Sequence, residues 1–326
     1  IVVIMYLNMS ITLIYIFLLS AIGTIVLNVI FRFVGQKGFL GNLYPNVRGG
    51  IPRAIGIVPF LILCFYFLPG YNSLILIIGI FALFDDILGR KRIGSLPIEW
   101  GQLSRGIGMI MVFIAGLYLD LGIASIFIAL LVQPMNIADM QPGSACMVTI
   151  VMSLVVICLM LILGTAPIHG LPAIYSPVIL LLVCLAYSPL DFLGKIMLGE
   201  IGNHSFAIAL AVCFYLVGGL IGLIILEFVL VCFIAFVRRS TLRTFFSTKL
   251  GISDPTFGDF FMDVLTGGGL GDLIRKLILN DKQYKISNQF LINLGFRRLL
   301  FNPFASRNAK LPSRRNNPKK PRLGKL

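Results

Sequence analysis

An all-α, polytopic bundle of membrane-spanning helices is the fold class this sequence predicts, on three observations. The 326 residues are 58% hydrophobic and only 12% charged, with a mean hydropathy of +0.97, a composition that excludes an ordinary water-soluble domain. Apolar runs recur that are long enough, or nearly so, to cross about 30 Å of hydrocarbon. Before position 238 the basic residues gather in every second connection between those runs, the pattern that marks loops on one side of a membrane.

The apolar runs are placed at 11–34, 54–69, 72–88, 103–119, 121–135, 147–163, 171–188, 205–218 and 219–237. The first lacks a small-residue cleavage site, which predicts a retained span rather than a removed signal peptide. The last two form one continuous run, too long for a single helix at about 1.5 Å per residue, so a division is expected near Gly218-Gly219. A tenth span would have to come from part of 286–304. The six cysteines, Cys64, Cys146, Cys158, Cys184, Cys213 and Cys232, mostly fall inside apolar runs and show no CxxC pairing, so they read as small buried hydrophobes.

Nine basic residues precede position 238: Arg32, Lys37, Arg48, Arg53, Arg90, Lys91, Arg92, Arg105 and Lys195. All nine fall in alternate connections of the nine-span arrangement or, as with Arg32 and Arg105, at the run ends that border them, whereas the opposite connections carry Asp120 and His169 and no Lys or Arg. Those nine positions are therefore expected at the cytoplasmic face, with the N-terminus outside and the tail inside.

From Arg238 the composition changes. The tail holds the other eighteen of the chain's 27 basic residues and five aspartates, so it carries +13 of the net charge of +14. Beside a membrane such charge predicts attraction to anionic lipid headgroups, at about 1 kcal/mol per nearby basic residue. Nucleic acid is the weaker reading, because no recognition fold or aromatic interleaving accompanies the basic residues. Region 238–305 is read as basic, cytoplasmic and partly amphipathic-helical, and 306–326 as a disordered basic tail. Within it, Thr266–Leu279 reads as a glycine-rich turn followed by a short amphipathic helix lying along the bilayer. The Gly267-Gly268-Gly269 run lacks the Lys-Ser/Thr of a phosphate loop and reads as a hinge.

The residues with chemistry gather in the four cytoplasmic connections. Asp85 and Asp86 close the third apolar run and are followed by Arg90-Lys91-Arg92. Ionisable groups at the end of a span are costly without a job or a partner, and paired carboxylates suit Mg²⁺ held against a phosphate. The first connection, GNLYPNVRGGIPRAIG, carries Arg48 and Arg53, read either as phosphate clamps or as orientation charges. The third holds Asn136 and Asp139, and the fourth holds Asp191, Lys195, Glu200, Asn203 and His204. Taken singly, each has a plain structural alternative: Asp139 as a helix cap, Glu200 paired with Lys195, His204 as a packed residue, Asp85-Asp86 paired with Arg90. Glu227 is the one acid deep in a span and is expected to face a neighbouring helix. A channel or secondary transporter predicts an internal repeat, and the sequence contains none.

In order and spacing, FDDILG at 84–89, NIADMQPG at 136–143 and KIMLGEIGN at 195–203 resemble the motifs of the polyprenyl-phosphate N-acetylhexosamine-1-phosphate transferase family, over roughly residues 11–237. The resemblance implies about ten helices in the inner (plasma) membrane and an active site at the cytoplasmic face. There a UDP-sugar gives its sugar-1-phosphate to polyprenyl (undecaprenyl) phosphate, the first step of a cell-envelope glycan, with Mg²⁺ or Mn²⁺ as cofactor. By matching position it implies Asp85, Asp86 and Asp139 as catalytic residues and Asp85, Asp86 and Glu200 as metal ligands. Asn136, Lys195, Asn203, His204, Arg48 and Arg53 are implied as substrate-binding residues. A homodimer or an envelope-assembly protein are the partners considered. The chain departs from the family pattern at Glu200, where aspartate is usual, at Met140-Gln141-Pro142-Gly143, and in lacking a histidine-rich segment after the ninth run. Those departures point to the alternative, a catalytically silent relative that binds polyprenyl-phosphate lipids or scaffolds an envelope-assembly complex.

Overall fold

A computed structural model describes residues 2–45, 49–89, 91–93, 99–167, 171–280, 282–303 and 305, without the side chains of 2–8 and 268–270. The protein is 74% helical, with no strand among the described residues. It divides into two compact units, Ile1–Ile234 and Ala235–Leu326.

The first unit contains α1 (Val2–Gln36), α2 (Ile57–Tyr66), α3 (Asn72–Leu88), α4 (Trp100–Tyr118), α5 (Ala124–Leu130), α6 (Val132–Ala138), α7 (Ser144–Leu163), α8 (Tyr175–Phe192) and most of α9 (Gly199–Val237). Among the described residues, five helices are long and apolar enough to cross a membrane: the Met9–Gln36 part of α1, then α4, α7, α8 and α9. This is a multi-pass helical membrane protein. The run expected to divide near Gly218-Gly219 leaves helical geometry at those two residues, and Gly219 takes φ 60°, ψ −145°, a conformation that glycine adopts without steric cost. The run expected as one span at 121–135 is two short helices, α5 and α6, meeting at Leu131.

The exposure pattern of α1 suits lipid rather than water. Ile14, Leu18, Ile22, Ile25, Val29 and Phe33 are all exposed, a continuous apolar surface that water would not tolerate. Beyond Ile16, its inward stripe is instead small or polar. Ile16, Ser20 and Thr24 are buried, the Ser20 hydroxyl donates to the Val183 carbonyl on α8 at 3.3 Å, and Gly23 lies against Val58 of α2. Small residues permit this close approach where no hydrophobic effect drives helices together.

One contact of this kind positions the polar residues. The segment 52–56, just before α2, pairs with the start of α9 through three backbone bonds: Met197 N–H to the Pro52 carbonyl (2.9 Å), Ile55 N–H to Met197 (3.3 Å) and Gly56 N–H to Leu198 (3.1 Å). At their centre Gly56 and Gly202 pack backbone on backbone, and a Cβ added to Gly202 would stand 2.7 Å from the Gly56 Cα. Gly202→Ala is therefore expected to destabilise the protein by about 2–3 kcal/mol, the usual cost of overpacking a close contact. The check is a lowered unfolding midpoint in detergent solution.

The second unit contains α10 (Arg239–Phe245), α11 (Phe257–Thr266), α12 (Gly268–Leu279), α13 (Gln289–Asn293) and α14 (Phe296–Leu299). Neither α13 nor α14 is long enough to cross a bilayer. Thr256 and Asp259 form a reciprocal capping box that starts α11. The glycine run expected as a hinge is mostly helix: Gly267 is the extended N-cap and α12 begins at Gly268. The helix is held there from its far side, where Arg275 donates to the Thr266 carbonyl (3.0 Å), the Leu299 carbonyl (2.9 Å) and the Asp272 carboxylate (2.6 Å). The basic character of this region is also partly internal. Arg297 pairs with Asp259 and Arg298 with Asp263 (2.5 Å), all four side chains being buried.

Candidate functional site

Asp85 and Asp86 occupy the last turn of α3 and face different partners. Asp86 is fully buried and accepts the amides of Glu200 (Oδ1, 3.0 Å) and Ile201 (Oδ2, 3.0 Å). It thus supplies from another helix a negative acceptor for first-turn N–H groups of α9, which have no intrahelical partner. Gly199 makes room: it takes φ 72°, and a Cβ there would stand 2.7 Å from both Asp86 Oδ2 and the Ala54 Cα. The 52–56 segment brings Arg53 to the same carboxylate, Nε to Oδ1 at 2.9 Å.

Asp85 turns to α4, where Arg105 Nη2 meets its Oδ2 at 2.9 Å. Gly101, one turn earlier on α4, is the residue that lets α4 lie against this carboxylate. The same Arg105 nitrogen reaches Glu200 Oε2 at 3.1 Å. Glu200 also receives Arg53 Nη2 on Oε1 at 3.5 Å and lies 3.2 Å from His204 Nε2, one turn along α9. Asn136 of α6 completes the ring: with its amide turned so that both ends are satisfied, the nitrogen donates to Glu200 Oε2 at 3.1 Å and the oxygen accepts from Arg105 Nη1. Residues from the 52–56 segment, α3, α4, α6 and α9 thus converge on one point.

Asp139 caps the end of α6 beside this cluster and differs from the other acids. No hydrogen bond or ion pair engages its carboxylate among the described residues. Burial, then the nearby charges of Asp191, Glu200 and Asp86, push its carboxyl well above the usual range, against a smaller opposing pull from Arg53. Burial opposes the charge on Arg53, but Asp86, Glu200, Asp85 and Asp139 together outweigh it and raise its guanidinium above the ordinary value. Asp191 serves a different end: its Oδ2 accepts the Gly143 amide at 3.1 Å where α7 begins. The carboxylate at the start of the next helix, where the sequence allowed Asp139, is therefore that of Asp191.

Of the residues singled out in the sequence, Asp85, Asp86, Asn136, Glu200, His204 and Arg53 lie in direct contact, and Asp139 stands beside them. Asn203 is fully buried in the first turns of α9, and its amide has no hydrogen-bond partner among the described residues. Lys195 is exposed and no ion pair joins it to the cluster among the described residues. Its carbonyl accepts from Arg32 at 2.7 Å, and among the described residues its ammonium makes no pair with Glu200, whose partners are Arg53, Arg105 and His204. Arg48 and Arg90 lie outside the described residues. Arg105, read in the sequence as an orientation charge, is instead the hub of the cluster. The available signal was its depth, since it is the sole charged residue of α4 and sits more than one turn inside an apolar helix.

No protein-family model matches this chain, and no curated protein matches it at a significant level.

Among the described residues, no three His, Cys, Asp or Glu side chains are arranged to hold a metal unaided. Both oxygens of Asp86 and both of Glu200 are already engaged by cations or amides. What remains is the Asp139 carboxylate and the second oxygen of Asp85, whose bond to Arg105 uses Oδ2. Mg²⁺ usually takes one or two carboxylates, with its remaining positions left to water and a substrate phosphate.

Proposed function

We propose that the chain is a membrane-embedded phosphoglycosyl transferase that moves a sugar-1-phosphate from a UDP-sugar to polyprenyl phosphate. The observation that carries this reading is the convergence of Asp85, Asp86, Asn136, Asp139 and Glu200, up to 115 positions apart in the sequence, at helix ends in an otherwise apolar bundle. So many ionisable groups at one place in a membrane protein mark a site rather than a packing solution. The order of the motifs resembles that of the transferase family, and the excess of basic residues in alternate connections supports a cytoplasmic location for this face, where nucleotide sugars are available.

In this reading Asp139 and Asp85 would hold a divalent cation, Mg²⁺ or Mn²⁺, which would supply positive charge to offset the charge that builds up on the departing UMP. Arg53 and Arg105 hold Asp86 and Glu200 in place. Asp86 locks the start of α9, which sets the position of Glu200, Asn203 and His204. The unpartnered Asn203 amide is suited to a polar group of the donor, because a buried amide without partners is costly until something fills it.

One observation favours a second reading, a silent binder of polyprenyl-phosphate lipids: Asp86 and Glu200 are fully committed to arginines and amides, which limits how many carboxylates can serve a cation. The two readings part in a single assay. Purified protein in lipid nanodiscs, given a panel of UDP-sugars with Mg²⁺, is expected to release UMP only when undecaprenyl phosphate is present. No UMP with any donor, together with saturable binding of undecaprenyl phosphate by native mass spectrometry, would replace the transferase with the silent binder.

A further inference from the structure

The second unit presents an apolar stripe that its own core does not use. Ile274, Leu277 and Ile278 of α12 follow the three- and four-residue spacing that places side chains on one helix face, and Leu277 and Ile278 are each 75% exposed. On the other face Arg275 is buried in its bonds to Asp272, Thr266 and Leu299, beside the buried Leu279. A water-facing helix is expected to turn its aliphatic residues inward and its arginine outward. Here that sense is reversed.

The exposed charge of this unit is one-sided among the described residues. Asp254, Asp259, Asp263 and Asp272 are each paired internally with Arg297, Arg298 or Arg275. Arg239, Arg243, Lys249, Lys282 and Lys285 are exposed. Residues 238–326 hold eighteen basic and five acidic side chains in all. A second copy of the chain would bring the same positive charge and be repelled. The unit also follows directly on the apolar helix that ends at Val237, so the chain itself delivers it to a bilayer.

We propose that α12 is a docking element for an anionic bilayer surface. Ile274, Leu277 and Ile278 enter the boundary between headgroups and acyl chains, and the exposed arginines and lysines meet lipid phosphates. The arginines buried in internal pairs, Arg275, Arg297 and Arg298, hold the unit together and take no part in the docking. This inference is independent of the transferase reading.

The test is hydrogen exchange of the full-length protein in nanodiscs of phosphatidylcholine alone, in nanodiscs that also contain phosphatidylglycerol, and in detergent. Peptides covering 268–279 are expected to exchange several-fold more slowly in the anionic discs, an effect lost in Leu277→Asp/Ile278→Asp and weakened by salt. Both substituted side chains are exposed, and unchanged exchange of 257–266 reports that the unit remains folded. Equal exchange in all three settings, or slowed exchange that survives the double substitution, would overturn the proposal. So would protection in detergent that grows with protein concentration, which assigns the stripe to a second copy.

Discussion

Arg105→Ala is expected to lower the stability of the protein by about 3–5 kcal/mol, the usual cost of removing one partner from a buried ion pair. Arg105 is buried and bridges Asp85 (2.9 Å) and Glu200 (3.1 Å), so its loss leaves two carboxylates at the cluster with one guanidinium fewer. The Asn136 amide loses its donor in the same step. Arg105→Lys is expected to recover only part of the loss, because an ammonium lacks the fork that serves Asp85, Glu200 and Asn136 together. Thermal unfolding in detergent, read by the loss of the monodisperse species, measures both. An Arg105→Ala protein as stable as the parent would show that the cluster is not organised as described.

Asp86→Ala is the second large effect, at about 3–5 kcal/mol, since it strands Arg53 beside Glu200 and leaves the Glu200 and Ile201 amides without an acceptor. Asp86→Asn should cost less, because a carboxamide oxygen still accepts one amide. The expected signature is local: faster hydrogen exchange over the first turns of α9 and over 52–56, with α7 and α8 unchanged. If Asp86→Ala loosens every helix equally, Asp86 is a general core residue and not the anchor of α9.

Much of this architecture was legible in the sequence because a bilayer leaves so few solutions to a backbone without water. Helix positions followed from apolar runs, and the break at Gly218-Gly219 followed from length alone. The site was legible as a set of acids near helix ends, but its wiring was not. Arg105 reads as a loop charge until α4 is seen to begin five residues before it. Capping of α9 by Asp86 depends on a distant helix, and no local pattern encodes it. The second unit was the least legible part. Its arginines and aspartates look like a solvated, basic tail in composition, yet Arg297, Arg298, Asp259 and Asp263 find each other across 35 to 38 residues and build an interior. Composition reports how many charges there are and says nothing of which of them are paired.

The most direct measurement follows a UDP-sugar labelled with ¹⁴C in the sugar and ³²P in the phosphate next to it, incubated with undecaprenyl phosphate, Mg²⁺ and protein in nanodiscs. Transfer of a sugar-1-phosphate predicts that both labels reach the lipid fraction in equal amounts, and that Asp139→Asn, which removes a carboxylate the fold does not itself engage, abolishes the transfer while the protein stays folded. Arrival of the sugar label alone, or equal transfer by Asp139→Asn, would contradict the account.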